Sequence, residues 1–301
     1  MFSHLKNLDA NTRRKEIMDN IGAAYREKVK HKVQRVQHKN VLLIGRTRTG
    51  KSTLKQLLVD PTTISEELTL ASQTKNATFE SFIIDDNQVV INIIDTPGLF
   101  ERGTDENQVR DNQAILRTIE QCIEREITKF HLVGFCASFE SGINDQDVKA
   151  IRELIDFLGQ GVSKNSCLIV TRCESKSQDQ RQKLMKEIET DMHFKPLAGY
   201  FKQGIFFSGC LHRDSWMNAT DDLYTQFETI VGYRERLIEV LTKNIEPFMV
   251  QESSVSRLRQ LIEEQEKLKK QIEELQAKGE QDEALIGRYK AKLSQKPCFV
   301  Q

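Results

Sequence analysis

The sequence predicts an α/β protein with a doubly wound, mostly parallel sheet, one antiparallel strand and a C-terminal coiled-coil helix. Three observations carry this prediction. The apolar β-formers Val41, Leu42, Leu43 and Ile44 run into a glycine-bounded loop, then into an amphipathic segment with Leu54, Leu57 and Leu58. Two further apolar runs, FESFII (79–84) and VVINII (89–94), are separated by Asp85-Asp86-Asn87-Gln88, turn-forming residues that suit an antiparallel hairpin. Strand-like runs then alternate with segments of helical apolar period to residue 243.

In chain order, residues 1–39 read as a basic helical arm. Residues 1–40 carry ten Lys/Arg against four Asp/Glu, with sparse apolar positions such as Ile17, Ile21 and Val33. The organised domain covers 40–245. Its first strand is 41–45, and its first helix runs from about Lys51 to Val59, stopping before Pro61. Residues 60–77 are polar, Thr-rich and without sustained period, which makes them a loop. After the hairpin, Ile115, Ile119, Cys122 and Ile123 recur at helical spacing across 106–126. FHLVGFCA (130–137) is a strand, and the next helix places Val148, Ile151, Ile155 and Leu158 on one face, with Asn144 or Asp145 as N-cap. CLIVT (167–171) is the next strand, followed by a polar helix over 178–191, the short strand GIFF (204–207) and a helix over 221–243.

Pro247 separates this domain from a charged tail. A helix over 250–295 can be written in heptads from Leu258, with Leu258, Ile272, Ile286 and Leu293 on one seam and Leu261, Leu268, Leu275 and Tyr289 on the other. Gln265, Gly279 and Asp282 interrupt the seam, so the coiled coil is expected over 255–276. The alternative is a helix that folds back on its own domain. Residues 296–301 end in Cys298-Phe299-Val300-Gln301, a C-a-a-X form with Lys290, Lys292 and Lys296 upstream. A prenyl group on Cys298 would make the protein peripheral to a membrane; a chance terminal cysteine is the alternative.

Composition bounds the function. At 301 residues, a hydrophobic fraction of 38% can fill one core, and a charged fraction of 29% implies much exposed helix. Formal net charge is zero, so no nucleic-acid partner is expected. Six cysteines show no C-x-x-C pair, and Cys136 and Cys167 sit inside apolar runs where a buried reduced thiol is expected. No signal-peptide core and no apolar run near ~18 residues is found, so the chain reads as cytoplasmic.

The chemistry centres on Gly45-Arg46-Thr47-Arg48-Thr49-Gly50-Lys51-Ser52-Thr53, a G-x-x-x-x-G-K-S spacing between a strand and a helix. Glycines let backbone N–H groups turn inward around a phosphate, and the helix N-terminus adds partial positive charge. Lys51 would reach the β- and γ-phosphates, and the Ser52 hydroxyl would bind Mg²⁺. Asp95 ends a strand 44 residues after Lys51, and Asp95-Thr96-Pro97-Gly98 is the form that GTPases use. There the carboxylate bonds Mg²⁺ through water, and the Gly98 N–H senses the γ-phosphate. Thr171-Arg172-Cys173-Glu174 ends a later strand, where a base reader belongs. A carboxylate can accept both the N1–H and the N2–H₂ of guanine, whereas adenine offers no such pair.

The chain resembles the AIG1-type GTPases, the immunity-associated nucleotide-binding family, over roughly residues 40–240. The resemblance rests on GRTRTGKST, on DTPGLFE (95–101), on VGFCASFESGINDQDVKAIRELIDFLG (133–159) and on the TRCE strand end. It implies a P-loop GTPase-type fold, GTP/GDP and Mg²⁺ binding, and nucleotide-dependent homodimerisation through the G-domain face. It also implies a T-x-x-D/E base motif, which suits Glu174, and a switch threonine in an S-x-T-K-like loop, Thr74, as a Mg²⁺ ligand. Thr69 and Thr78 stay open as alternatives for that threonine. Ser208 and Gly209 take the place of the loop that backs the guanine.

The expected function is a switch that hydrolyses GTP slowly as a monomer and faster on G-domain dimerisation. Leu99 stands where Ras-like proteins carry a water-positioning Gln, so intrinsic hydrolysis should be weak. Arg48 stands where the family usually has a small residue. The string G-x-x-R-T-G-K-S resembles the loop of guanylate-binding proteins, whose arginine acts as a finger in cis. The alternatives are a GTP-controlled oligomeric scaffold with negligible turnover that recruits partners through its coiled coil, and an ATPase or small-molecule kinase.

Overall fold

Runs of β-branched and leucine side chains become the inner strands, because a sheet covered on both faces buries every residue of a strand rather than alternate ones. A computed structural model describes residues 9–28, 36–46, 48–65, 77–84, 89–97, 116–138 and 145–250, with helical positions 255, 259, 260, 263, 264, 267, 268, 270–274 and 289. Among them, strands β3 (Val89–Asp95), β5 (Leu132–Ser138) and β6 (Ser166–Thr171) are buried nearly throughout, and β1 (Gln37–Gly45) is buried from Val41 to Gly45.

Six strands form one sheet in the order β2-β3-β1-β5-β6-β7, where β2 is Thr78–Ile84 and β7 is Ile205–Phe207. Among the described strands of this sheet only the β2–β3 pair is antiparallel; its register sets Thr78 opposite Asp95 and Ile84 opposite Val89. The parallel neighbours β1–β3, β1–β5, β5–β6 and β6–β7 place the C-terminal ends of β1, β3, β5 and β6 on one edge. That edge of an open α/β sheet is where ligands bind. The predicted α/β class, with a mostly parallel sheet and one antiparallel strand, is therefore observed.

Helix α2 (Lys51–Val59) follows β1 directly and buries Leu54 and Leu57. Helix α3 is described over 116–124, with Leu116, Ile119 and Cys122 in the core. Helix α4 (Asp145–Leu158) buries Val148, Ile151, Leu154, Ile155 and Leu158, the spacing read from the sequence. Helix α5 (Gln178–Thr190) starts at a capping box in which Ser177 and Gln180 satisfy each other's backbone N–H. Two short helices, α6 (Lys195–Ala198) and α7 (Arg213–Met217), precede the long helix α8 (Asp222–Thr242). A buried side chain such as Leu43 or Ile94 contributes about 1.5–3 kcal/mol to this core.

Three boundaries differ from the sequence reading. Strand β1 begins at Gln37, because His38, Lys39 and Asn40 continue the pairing with Val90, Ile91 and Asn92. Lys39 is buried and donates to the Lys243 carbonyl, a contact that local apolarity cannot signal. The run at 130–137 is two strands, β4 (Lys129–Phe130) and β5, broken at His131, whose N–H bonds the Asn40 carbonyl and whose Nδ1 accepts from Asn40 N. The core also takes in residues beyond Pro247. Strand β8 (Phe248–Met249) pairs with β4, Val250 and Val255 join the core, and Arg259 bonds Glu120 of α3 at 2.6 and 2.8 Å.

Residues 1–36 form a unit of their own, whose helix α1 (Ala10–Lys28) is capped by Asp9 Oδ1 through the N–H groups of Asn11 and Thr12. No described helix is long and apolar enough to cross a membrane. Cys122, Cys136, Cys167 and Cys173 are buried free thiols, as expected for Cys136 and Cys167, and burial pushes Cys136 up to about 12.

Candidate functional site

Gly45 ends β1 where the chain passes against β5. A Cβ there would sit 2.3 Å from the Cys136 carbonyl oxygen, so only glycine lets the loop leave the sheet at this point. Gly50 takes a left-handed conformation, φ 79°, immediately before Lys51 opens α2. Between them the loop closes on itself, as both the N–H and the hydroxyl of Thr49 donate to the Arg46 carbonyl. Lys51 is buried, and its ammonium donates to the Gly45 and Arg46 carbonyls at 2.9 and 3.0 Å. Burial holds its pKa below the ordinary lysine value, against the opposing field of Asp95. A buried cation inside a turn of backbone amides at a helix N-terminus can receive an anion of high charge, such as a phosphate.

Arg48 is exposed at the lip of this loop with φ 66°, left-handed for a non-glycine residue. Thr47 lies outside the described residues, and Thr53 follows Ser52 on α2. Arg46 pairs with the buried Asp147 of α4 at 2.7 Å and so fastens the loop to that helix.

The C-terminal end of β3 supplies the second half of the phosphate end. The Ser52 hydroxyl donates to Asp95 Oδ2 at 2.7 Å. Asp95 is 1% exposed, and its Oδ1 is buried with no hydrogen-bond partner among the described residues. Burial raises the Asp95 pKa, opposed by Ser52, Lys51 and Lys55. An orphaned carboxylate oxygen beside a hydroxyl fits a hard divalent cation. No cluster of three or more His, Cys, Asp or Glu among the described residues could hold a metal by itself. Mg²⁺ is typically held by few protein oxygens together with substrate phosphates. Thr74, Thr69, Gly98 and Leu99 lie outside the described residues; Thr78, the third threonine candidate, is the first residue of β2.

At the other end of the site, the strand end of β6 divides its labour. The Thr171 hydroxyl donates to the Thr49 carbonyl at 2.7 Å and to the Ala137 carbonyl at 3.3 Å, locking the phosphate loop to β5 and β6. Arg172, φ 58°, donates from Nη2 to the Arg48 carbonyl. Glu174 turns inward and is 9% exposed, with Oε2 unpartnered among the described residues. Ser208 and Gly209 lie against it, because Ser208 N bonds Val170 O and Cys173 N bonds Ser208 O. A Cβ on Gly209 would fall 2.5 Å from Glu174 Oε2, so glycine makes room for the carboxylate. Burial raises the Glu174 pKa, opposed by backbone N–H donors and by His212 and Arg172.

The structure thus brings Gly45, Arg46, Arg48, Thr49, Gly50, Lys51, Ser52 and Asp95 into one cluster. Thr171 and Arg172 fasten the loop through these carbonyl contacts. Sequence reasoning missed Asp147 and Lys55. Lys55 had a signal, because it lies three residues after Ser52 on the same helix face. Asp147 had none, since its role depends on where α4 docks.

The model of the AIG1 family matches residues 39–198. No curated protein matches the chain. Among solved structures, Toc33 of Arabidopsis thaliana in complex with GDP and Mg²⁺ is 15% identical, covering 83% of this chain and 100% of that one, with a TM-score of 0.44. Elongation factor SelB of Methanococcus maripaludis, with the GTP analogue GppNHp, is 13% identical over 73% of this chain and 37% of that one, TM-score 0.44. Era of Aquifex aeolicus, bound to GDP·AlF₄⁻, is 18% identical over 66% of this chain and 57% of that one, TM-score 0.42. With these scores under 0.5, placement of the chain rests on the family model.

Proposed function

Since this chain belongs to the AIG1 family, matched over residues 39–198, we propose that it is a guanine-nucleotide-binding switch that hydrolyses GTP to GDP. One observation carries the reading: a phosphate loop around a buried lysine, and a buried carboxylate with one oxygen unpartnered among the described residues, stand at the ends of strands of one sheet. Lys51 and the loop amides would bind the phosphates, Ser52 and Asp95 would hold Mg²⁺, and Glu174 would accept the two guanine N–H donors beside Gly209. Bound Mg²⁺ supplies neutralisation of phosphate charge. Competition of GTP, GDP and ATP against one labelled guanine nucleotide tests this. ATP competing as well as GTP would refute the base assignment.

Turnover is proposed to be slow in the monomer and stimulated when two G domains meet face to face. The exposed position of Arg48 supports this, since an arginine at the lip can turn toward phosphates across a dimer. Leu99 favours the scaffold alternative, because a leucine cannot orient water. Hydrolysis that rises steeply with protein concentration supports the enzyme; tight binding with a flat, negligible rate supports the scaffold.

The heptads of the tail and a prenylated Cys298 would add a partner-binding helix and a cytoplasmic membrane-surface address. Residue 298 lies outside the described residues. Unmodified mass and full solubility of the protein from a eukaryotic host would argue against lipidation.

A further inference from the structure

Lys55 stands one turn beyond Lys51 on α2, on the face that looks onto the metal end of β3. Its ammonium donates to Thr78 Oγ1 at 3.1 Å, pairs with the Glu80 carboxylate, and lies 3.8 Å from Asp95 Oδ2. Thr78 and Asp95 are direct partners across the β2–β3 ladder. One cation from α2 therefore touches the end of β3 and the start of β2, the strand that follows the loop expected to carry the switch threonine. The Lys55 side chain is 13% exposed and that of Asp95 1%, so salt screens this attraction far less than it would a surface pair. Glu80, at 45%, faces the solvent side of the same ammonium.

We propose that Lys55 is a positioning residue that serves as the internal counter-cation of Asp95. It holds Asp95 and Thr78 together in the nucleotide-free chain and competes with Mg²⁺ for the carboxylate. The proposal rests on the reading of this site as a Mg²⁺–guanine-nucleotide site. A divalent cation approaching Asp95 meets a fixed positive charge already beside it. That charge must share the carboxylate or withdraw from it while keeping its bond to Glu80. Lys55 thereby sets how much Mg²⁺ the site needs, and it links metal occupancy to the start of β2.

The test uses Lys55→Met, which keeps the length of the stem and removes the charge, and Lys55→Arg, which keeps the charge. Dissociation of fluorescent GDP is followed against free Mg²⁺. Lys55→Met should move the Mg²⁺ midpoint to roughly tenfold lower concentration, the scale of one removed repulsion at close range. Lys55→Arg should restore the parent midpoint, and Glu80→Gln should move it to higher Mg²⁺. A purely structural lysine would lower stability and leave the midpoint in place, so an unmoved or raised midpoint in Lys55→Met overturns the proposal. In nucleotide-free protein, Lys55→Met should melt below the parent and Lys55→Arg close to it; equal melting of all three overturns the apo role. Fluorescent GDP that fails to bind the parent at any Mg²⁺ concentration would refute the guanine-site reading instead. The competition is then read from thermal unfolding against Mg²⁺ alone, where equal Mg²⁺ dependence in parent and Lys55→Met overturns it.

Discussion

At the phosphate end, Lys51 bonds carbonyls five and six residues behind it, and Thr49 bonds one three residues behind. At the base end, Glu174 owes its place to Ser208, Gly209 and Tyr233, which arrive on other elements; the Tyr233 hydroxyl bonds the Cys173 carbonyl at 2.9 Å. The first end is a local turn with its cation satisfied. The second is a junction of distant segments; among the described residues each end keeps one unpartnered carboxylate oxygen, Glu174 Oε2 here and Asp95 Oδ1 beside the phosphate loop. Affinity for any nucleotide should therefore reside in the former, and discrimination between bases in the latter.

The hardest way to break this division is Lys51→Ala. Affinity for GTP, GDP and ATP should fall together by roughly 10²–10³, since charge-assisted bonds to phosphate are lost. The Gly45 carbonyl loses its Lys51 donor while the Arg46 carbonyl keeps Thr49, so the unliganded chain should also lose about 1–3 kcal/mol in denaturant unfolding. A loss confined to guanine nucleotides would contradict the division.

Glu174→Ala should weaken GTP and GDP by about 2–4 kcal/mol and leave binding through the phosphates detectable. An unchanged preference for GTP over ATP would remove Glu174 from base reading. Arg48→Ala sharpens the contrast from the catalytic side. Nucleotide affinity should stay near the parent's, while concentration-stimulated hydrolysis drops at least tenfold; such arginines supply roughly 10³–10⁵ elsewhere. Normal dimerisation with parental turnover would show that Arg48 is no finger.

The smallest effect is in pH. Burial lifts Glu174 above its ordinary 4.5, and guanine requires the charged form. Below the raised pKa, binding must expel a proton, so guanine affinity should fall as pH falls, by up to about tenfold per unit. Glu174→Gln should flatten that dependence in calorimetric titrations across the acidic range. Folding runs the other way: the folded chain holds this proton more tightly than the unfolded one. The stabilising contribution is complete below 4.5 and is lost as pH rises through the folded pKa.

Several features were legible in the residues because their causes are local. Apolar period marked the helices, continuous β-branched runs marked the buried strands, and Asp85 to Gln88 between two such runs required a hairpin. The phosphate loop was legible for the same reason, since Gly45 and Gly50 answer backbone demands within one short stretch. Glu174 could be located only by its position after a strand; nothing in T-R-C-E says that the carboxylate turns inward under Gly209.

By itself, then, the sequence determined the α/β class, the order of the principal strands and helices and the place of the phosphate loop, because period and glycine conformation act over a few residues. Tertiary structure alone decided that Thr171 fastens the loop, that Arg46 pairs with Asp147, that His131 splits a strand and that Lys55 lies between Asp95 and Thr78. Each of these joins side chains or strand ends that are far apart along the chain. Their partners are chosen by strand order and helix docking, and a local pattern of residues does not contain that choice.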